Sequence, residues 1–276
     1  MKKFLLIILS SLILLLTILL YSRFIGTNGL VTHEIPIELN LPASYDGMKI
    51  IHFSDLHYKK VITEKRVKEL VQEINKNKPD LVLFTGDLLD KDYSMTNQDI
   101  NFLIKELKKI KSVYGNYAVI GDQDKKQEEN IKNIYIQSNF TILENQSTTI
   151  YNEANEKITL IGLGSYLNNI DIEQTYTSIS DQNAPQIAIV HEPDAIIKIK
   201  SQNPNTALIL AGHSINGSIN LPLIKQLLLP NGAKKYTKLN DKKQNIFITN
   251  GIGVNQVNFR LFNTPSINLY RIKIKY

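Results

Sequence analysis

From Lys49 onward, short unbroken apolar runs alternate with stretches in which apolar residues recur every three or four positions. Runs at 49–54, 81–85 and 117–120 are of the first kind, and such runs bounded by turn residues predict buried strands. Between them, Val67, Leu70, Val71 and Ile74 share one face of a helix predicted over 63–77, closed by Asn77 and Pro79. Leu103, Ile104, Leu107 and Ile110 do the same over 100–110. The second half repeats the alternation with less helix, and 157–161, 186–190, 207–211, 246–249 and 267–274 read as strands. The pattern predicts one α/β domain, and no internal repeat, low-complexity tract or linker divides it.

The first segment breaks that pattern. Residues 4–21 are apolar apart from Ser10, Ser11 and Thr17, and carry no charge. About 18 residues at ~1.5 Å rise cover roughly 27 Å, enough for a hydrocarbon core. Lys2 and Lys3 precede the run, Arg23 follows it, and no further Lys or Arg occurs until Lys49. This asymmetry predicts a single-pass cell-membrane protein with a cytoplasmic N-terminus and an extracytoplasmic domain, its first partner being the lipid bilayer. The stretch Tyr21-Ser22-Arg23-Phe24 lacks a small-x-small cleavage pattern, which favours a retained anchor over a removed signal peptide. The expected organisation is an anchor at 1–23, a juxtamembrane lead-in at 24–44 and the main domain at 45–276. The lead-in should have extended structure around 31–41, interrupted by Pro36 and Pro42.

Composition narrows the chemistry. Among 276 residues there is no cysteine, which excludes disulfides, thiolate metal sites and lipidation on cysteine. The net charge of +6 is spread along the chain without a basic stripe and interleaved aromatics, so no nucleic-acid partner is expected. A mild attraction to anionic lipid is as much as this charge supports.

Candidate ligands cluster at the ends of the apolar runs: Asp55-Leu56-His57, Gly86-Asp87, Gly121-Asp122-Gln123-Asp124, His191-Glu192-Pro193-Asp194 and Gly212-His213-Ser214-Ile215. Singly, each is ordinary. Asp55 and Asp87 fit strand-end turns, and His191 with its acidic, proline-containing neighbours fits a helix start. Together, carboxylates and imidazoles at strand C-terminal ends, where α/β sheets gather ligands, can converge on metal ions. Three of the five histidines fall in these motifs. Strand alternation turns His52 away from the face of Asp55, and His33 lies in the lead-in, so both are expected to be structural. Gly251 and Gly253 lack the spacing of a nucleotide loop and predict a tight turn near the site mouth. The glycosylation sequons at Asn139, Asn145 and Asn216 read as chance matches.

The runs KIIHFSDLH, PDLVLFTGDLLD, YGNYAVIGDQD, IAIVHEPD and LILAGHSINGSINLP, with the tail FITNGIGVNQVNFRLFNTPSINLYRI, resemble the calcineurin-like metallophosphoesterases. More narrowly, they resemble that family's membrane-anchored bacterial branch, from about Leu41 to the C-terminus. The resemblance implies an α/β fold in which a β-sandwich is flanked by helices, preceded here by one transmembrane helix. It also implies one or two divalent ions (manganese, iron or zinc) and hydrolysis of a phosphomono- or diester by metal-activated hydroxide. The phosphoester substrate or ligand would be of membrane or envelope origin. By position, Asp55, His57 and Asp87 would hold the first ion. Asp87 would bridge to a second ion that also binds Asp122, His191 and His213.

Three positions depart from the family pattern. Asp122 stands in place of an asparagine, and its extra charge should strengthen the second site while weakening the pull on an anionic phosphate. Gln123 stands in place of the histidine that assists the leaving group. Glutamine donates no proton, and losing a general acid typically costs ~10²–10⁴-fold. Ile215 replaces a ligand of the first ion, leaving three protein ligands. Two readings follow: a membrane-anchored phosphoesterase with a modified centre, or a catalytically silent domain that binds a phosphate-bearing ligand or partner through residual metal.

Overall fold

The computed structural model describes residues 1–168, 170–255 and 257–275. Its first sheet contains β1 (Val31–Leu39), β2 (Lys49–Phe53), β3 (Leu81–Phe84), β4 (Asn116–Ala118), β5 (Phe140–Ile142) and the last strand, β12 (Ser266–Ile274). Their order is β1-β12-β2-β3-β4-β5. Strands β2 to β5 run parallel, and β12 joins β2 antiparallel. The second sheet contains β6 (Gln146–Tyr151), β7 (Lys157–Gly162), β8 (Gln186–Val190), β9 (Leu208–Ala211), β10 (Asn240–Asp241) and β11 (Ile246–Ile248). It is ordered β10-β11-β9-β8-β7-β6, with β7, β8, β9 and β11 parallel and antiparallel strands at both edges.

Strand alternation distributes the apolar runs between layers. Ile50, Leu81 and Leu83 face inward, where they meet Ile158, Leu160, Ile187, Ile189, Leu208 and Leu210 of the other sheet. Their neighbours Ile51, Val82 and Phe84 face outward under α2 (Glu64–Lys76), α3 (Asn97–Leu107) and α4 (Glu128–Gln137). On the far side, Ala188, Val190, Ile209 and Ala211 pack against α5 (Ile172–Thr177) and α6 (Ala195–Gln202). Strands buried on both faces read as continuous apolar runs, which is why these were visible in the sequence. The α/β sandwich with flanking helices is the expected fold.

Helix α4 is not among the elements that the pattern predicts. Its buried positions Ile131, Ile134 and Tyr135 follow a polar 3-10 turn at Gln123–Gln127, and the polar stretch masks the periodicity. Residues 31–39, expected as extended lead-in, form the edge strand β1, parallel to β12 along its whole length. Pro36 lies within this strand, and an edge tolerates it because half of the N–H groups there face away from the ladder. Ahead of it, α1 (Lys2–Leu20) runs on through a wider turn at Tyr21–Ile25. The 24-residue apolar span is exposed throughout α1 and long enough to cross a membrane, which suggests anchoring.

Candidate metal centre

Five parallel strands deliver the candidate ligands. Asp55 and His57 follow β2, Asp87 follows β3 and Asp122 follows β4, while His191 and His213 follow β8 and β9 of the second sheet. Parallel strands share one C-terminal end, so all six residues meet at one rim of the sandwich. The loops interlock through the backbone. Asp55 N–H donates to Gly86 O (2.9 Å), and His57 N–H donates to Asp87 O (3.2 Å). Across the sheets, His213 N–H donates to Asp55 Oδ2 (2.9 Å). Gly86 has φ +91, and a Cβ there would lie 2.6 Å from Gly121 N, so only glycine lets the β3 and β4 loops approach this closely.

Two groups of side chains emerge, and Asp87 belongs to both: Asp55, His57 and Asp87 in one, Asp87, Asp122, His191 and His213 in the other. In the first, His57 Nε2 lies 3.7 Å from Asp55 Oδ1 and 3.8 Å from Asp87 Oδ2. Asp55 Oδ1, Asp87 Oδ2 and both ring nitrogens of His57 are buried without any hydrogen-bond partner. Buried polar atoms are almost always paired, so three orphans from three residues that converge, Asp55 Oδ1, Asp87 Oδ2 and His57 Nε2, fit a divalent cation that supplies the missing partner. In the second group, His191 Nε2 and His213 Nδ1 each lie 3.1 Å from Asp122 Oδ1. His191 Nε2 also lies 3.4 Å from Asp87 Oδ2.

Backbone carbonyls settle the tautomers of these two rings. His191 Nδ1–H donates to Thr85 O, and His213 Nε2–H donates to Asn231 O (2.7 Å). Opposite nitrogens are therefore committed to the scaffold, and the remaining two point at Asp122. This is the outer-layer arrangement that orients imidazole ligands.

Electrostatics without metal are those of a centre short of positive charge. Burial pushes Asp87 up to about 7 and raises Asp55 as well. Burial also lowers His57 to about 3, keeping the ring neutral. For His191, burial opposes the charge, yet the Asp87 and Asp122 carboxylates prevail and hold its imidazolium well above the ordinary range. His213 is raised in the same way, by Asp122 against burial. Asp122 is lowered because its contacts with the two imidazoles outweigh its burial. Cations at these positions would replace the bound protons.

The departures from the family pattern have definite surroundings. Gln123 is tied at both ends of its amide: Nε2 donates to Asn255 Oδ1 (3.0 Å), and Lys91 N–H donates to Oε1 (3.3 Å). Its backbone N–H donates to Asp87 Oδ1 (3.0 Å). Ile215 is buried at φ +43, an uncommon conformation for a β-branched residue. Its side chain and that of Asp55 both lie against Gly251, so the expected tight turn does border the site. His52 faces into the sandwich between Thr85 Oγ1 (2.9 Å) and the Tyr270 hydroxyl (3.3 Å), the structural role expected of it.

Sequence reasoning assigned no role to Asp124. The carboxylate is buried and accepts from four backbone N–H groups, those of Gly121 (3.0 Å), Asp87 (3.0 Å), Leu88 (2.9 Å) and Leu89 (3.4 Å). It pins the β3 and β4 loops together behind Asp87. Its place as the last residue of Gly121-Asp122-Gln123-Asp124 was the available signal.

A two-sheet α/β sandwich with paired carboxylate–imidazole clusters at its rim defines a class of metal-dependent hydrolases. Residues 48–234 match the family Calcineurin-like phosphoesterase, and the chain belongs to that family. It is 30% identical over 259 residues to the uncharacterized metallophosphoesterase YkuE of Bacillus subtilis, a match covering 92% of this chain and 89% of that protein. It is 26% identical over 211 residues to the phosphodiesterase YaeI of Escherichia coli, covering 74% of this chain and 75% of YaeI. A transmembrane protein with metallophosphoesterase domain from Bos taurus is 26% identical over 206 residues, covering 69% of this chain and 45% of that protein.

Proposed function

We propose that the chain is a membrane-anchored, metal-dependent phosphoesterase whose domain lies on the extracytoplasmic side and hydrolyses a phosphomono- or diester. The observation that carries this reading is Asp87, whose unpartnered Oδ2 is shared between two ligand clusters. Asp55, His57 and Asp87 would hold one divalent ion, and Asp87, Asp122, His191 and His213 the other. Such ions supply an acidified water and neutralise charge on the phosphoryl oxygens. The chain's own residues orient the reactants: Thr85 O and Asn231 O fix the two imidazoles, and Gly121 and Asp124 hold the Asp87 loop. Gln123 can position an oxygen by hydrogen bonding and cannot protonate one, so esters with good leaving groups suit this centre best. Lys2 and Lys3 ahead of the apolar helix support the cytoplasmic N-terminus.

The test is hydrolysis of p-nitrophenyl phosphate and bis(p-nitrophenyl) phosphate by full-length protein with manganese or zinc. Activity should appear with metal and vanish in Asp87→Ala, together with metal binding. Outer-layer changes already lower metal affinity ~10–100-fold, so loss of a shared ligand should exceed that. A metal-replete chain inactive on a broad phosphoester panel would overturn the reading.

One observation favours the silent binder instead: the Gln123 amide is engaged at both ends and the Ile215 position offers no ligand. On that reading the protein binds metal without turnover, and Gln123→His with Ile215→His together switches hydrolysis on. No gain from the double change in an already active protein would sink it.

A further inference from the structure

Where the apolar helix ends, the domain begins, and the contact is specific. Arg260 N–H donates to Ser22 O (3.0 Å), and both Ser22 and Thr27 are buried at this junction. The next residue, Leu261, pairs with the strand-like segment at 218–220: Leu261 N–H donates to Ser218 O (3.1 Å) and Asn220 N–H to Leu261 O (2.9 Å). That segment leads directly into α7 (Pro222–Leu228). Helix end, loop 257–264 and the start of α7 are therefore one continuous surface.

Large apolar side chains stand out from it. Leu227 is 84% exposed and Phe262 70%, and Phe24 and Ile25 at the end of the helix itself are exposed as well. Apolar groups clustered at the exit of a membrane-length helix match an interfacial surface better than one bathed in water.

The same loop reaches the metal centre. The buried Arg260 guanidinium donates to Gly251 O (3.1 Å), and Gly251 lies against Asp55. Asn263 Nδ2 donates to Ile215 O (2.6 Å), two residues beyond His213. Ahead of the loop, Asn255 holds Gln123 at the site. A single arginine side chain thus separates the end of the helix from the turn that packs against Asp55.

We propose that α7 and the loop 257–264 rest in the headgroup layer of the bilayer that α1 enters, so that the metal centre is presented to phosphoesters borne on membrane lipids. The docking half rests on α1 remaining in the membrane; the substrate half rests also on the phosphoesterase reading above. Lipid-phosphoester hydrolysis adds water at phosphorus and breaks one P–O bond. The leaving oxygen departs into the headgroup region and takes its proton from solvent, since Gln123 has none to give.

The chain has no cysteine, so single-cysteine variants report one position each. Full-length Leu227→Cys and Phe262→Cys, labelled with an environment-sensitive fluorophore, go into nanodiscs of phosphatidylethanolamine and phosphatidylglycerol containing a headgroup-nitroxide lipid. Ile136→Cys, on the outer face of α4, and Tyr151→Cys, on edge strand β6, are the controls. Quenching several-fold stronger at 227 and 262 than at the controls is expected. Equal quenching at all four positions, with protein recovered in the discs, overturns the docking.

For the substrate class, the probes are hexadecyl p-nitrophenyl phosphate in the discs and soluble bis(p-nitrophenyl) phosphate. The combined Leu227→Asp and Phe262→Asp variant should raise KM for the hexadecyl ester several-fold and leave the soluble ester unchanged. Equal effects on both esters overturn the substrate half. No turnover of either probe by the wild-type chain overturns that half together with the phosphoesterase reading, and leaves the quenching result to decide the docking alone.

Discussion

At the scale of single residues, the candidate centre is held by groups outside the two donor clusters. Asp124 serves four backbone donors with two oxygens, the arrangement only a carboxylate satisfies in full. Asp124→Asn should leave buried N–H groups facing an amide NH₂ and cost about 1–3 kcal/mol of stability by denaturant titration. Because the Asp87 loop loosens, metal affinity measured by calorimetry should fall ~10–100-fold. His52 offers a separate check through pH. Burial lowers it to about 3, so the fold holds the ring neutral. A depressed folded value means the stability it contributes is complete above the ordinary value of about 6.5 and is lost as pH falls from there toward 3. Melting temperature should therefore fall less steeply between pH 7 and pH 4.5 in His52→Gln than in the wild type. Parallel slopes would show that the ring carries its proton in the fold. The candidate donors were legible at this scale because oxygen and nitrogen donors of these types suit hard divalent ions. Backbone strain was not: Asp55, His57, Asp87 and His213 all have positive φ, although none is glycine or asparagine.

At the scale of elements, local signals were reliable where periodicity and capping agree. Helix α3 begins with a reciprocal capping box, in which Asp99 N–H donates to Thr96 Oγ1 (3.2 Å) and Thr96 N–H donates to Asp99 Oδ2 (3.0 Å). Asp99 also receives the Tyr93 hydroxyl (2.8 Å) and pairs with Lys59 Nζ (2.9 Å). Thr96→Ala should cost ~1 kcal/mol, read as a shift in denaturant midpoint with unchanged slope. The cap places the start of α3 at Asn97, three residues ahead of the periodic reading, because the first turn is polar and its backbone donors are satisfied by side chains. Helix α4 escaped that reading for the same kind of reason. Its inner face, Ile131, Ile134 and Tyr135, is short and follows a charged stretch, and only packing beneath it against Phe84 and Phe140 reveals it.

At the scale of the whole molecule, the segment after the helix belongs to the sandwich. β1 covers the edge of β12, and Ile37, Leu39 and Leu41 lie in the core between the sheets. A truncation beginning at residue 45 should expose that edge and those core contacts, and give insoluble protein. A truncation beginning at Gly26 keeps β1 and should be soluble and melt cooperatively. Equal solubility of the two in a sedimentation assay would show the edge strand to be dispensable. What the sequence alone determined is what depends on near neighbours: the alternation of strand and helix, the apolar N-terminal span and the donor types at strand ends. The tertiary structure decided what depends on distant ones. Asp55 and His213 meet across 158 positions of chain. The sharing of Asp87, the pinning role of Asp124 and the surface joining the helix end to the metal centre likewise arise only when the sheets pack. Periodicity encodes which face of an element is buried, whereas the partner on that face is selected by the closing of the core.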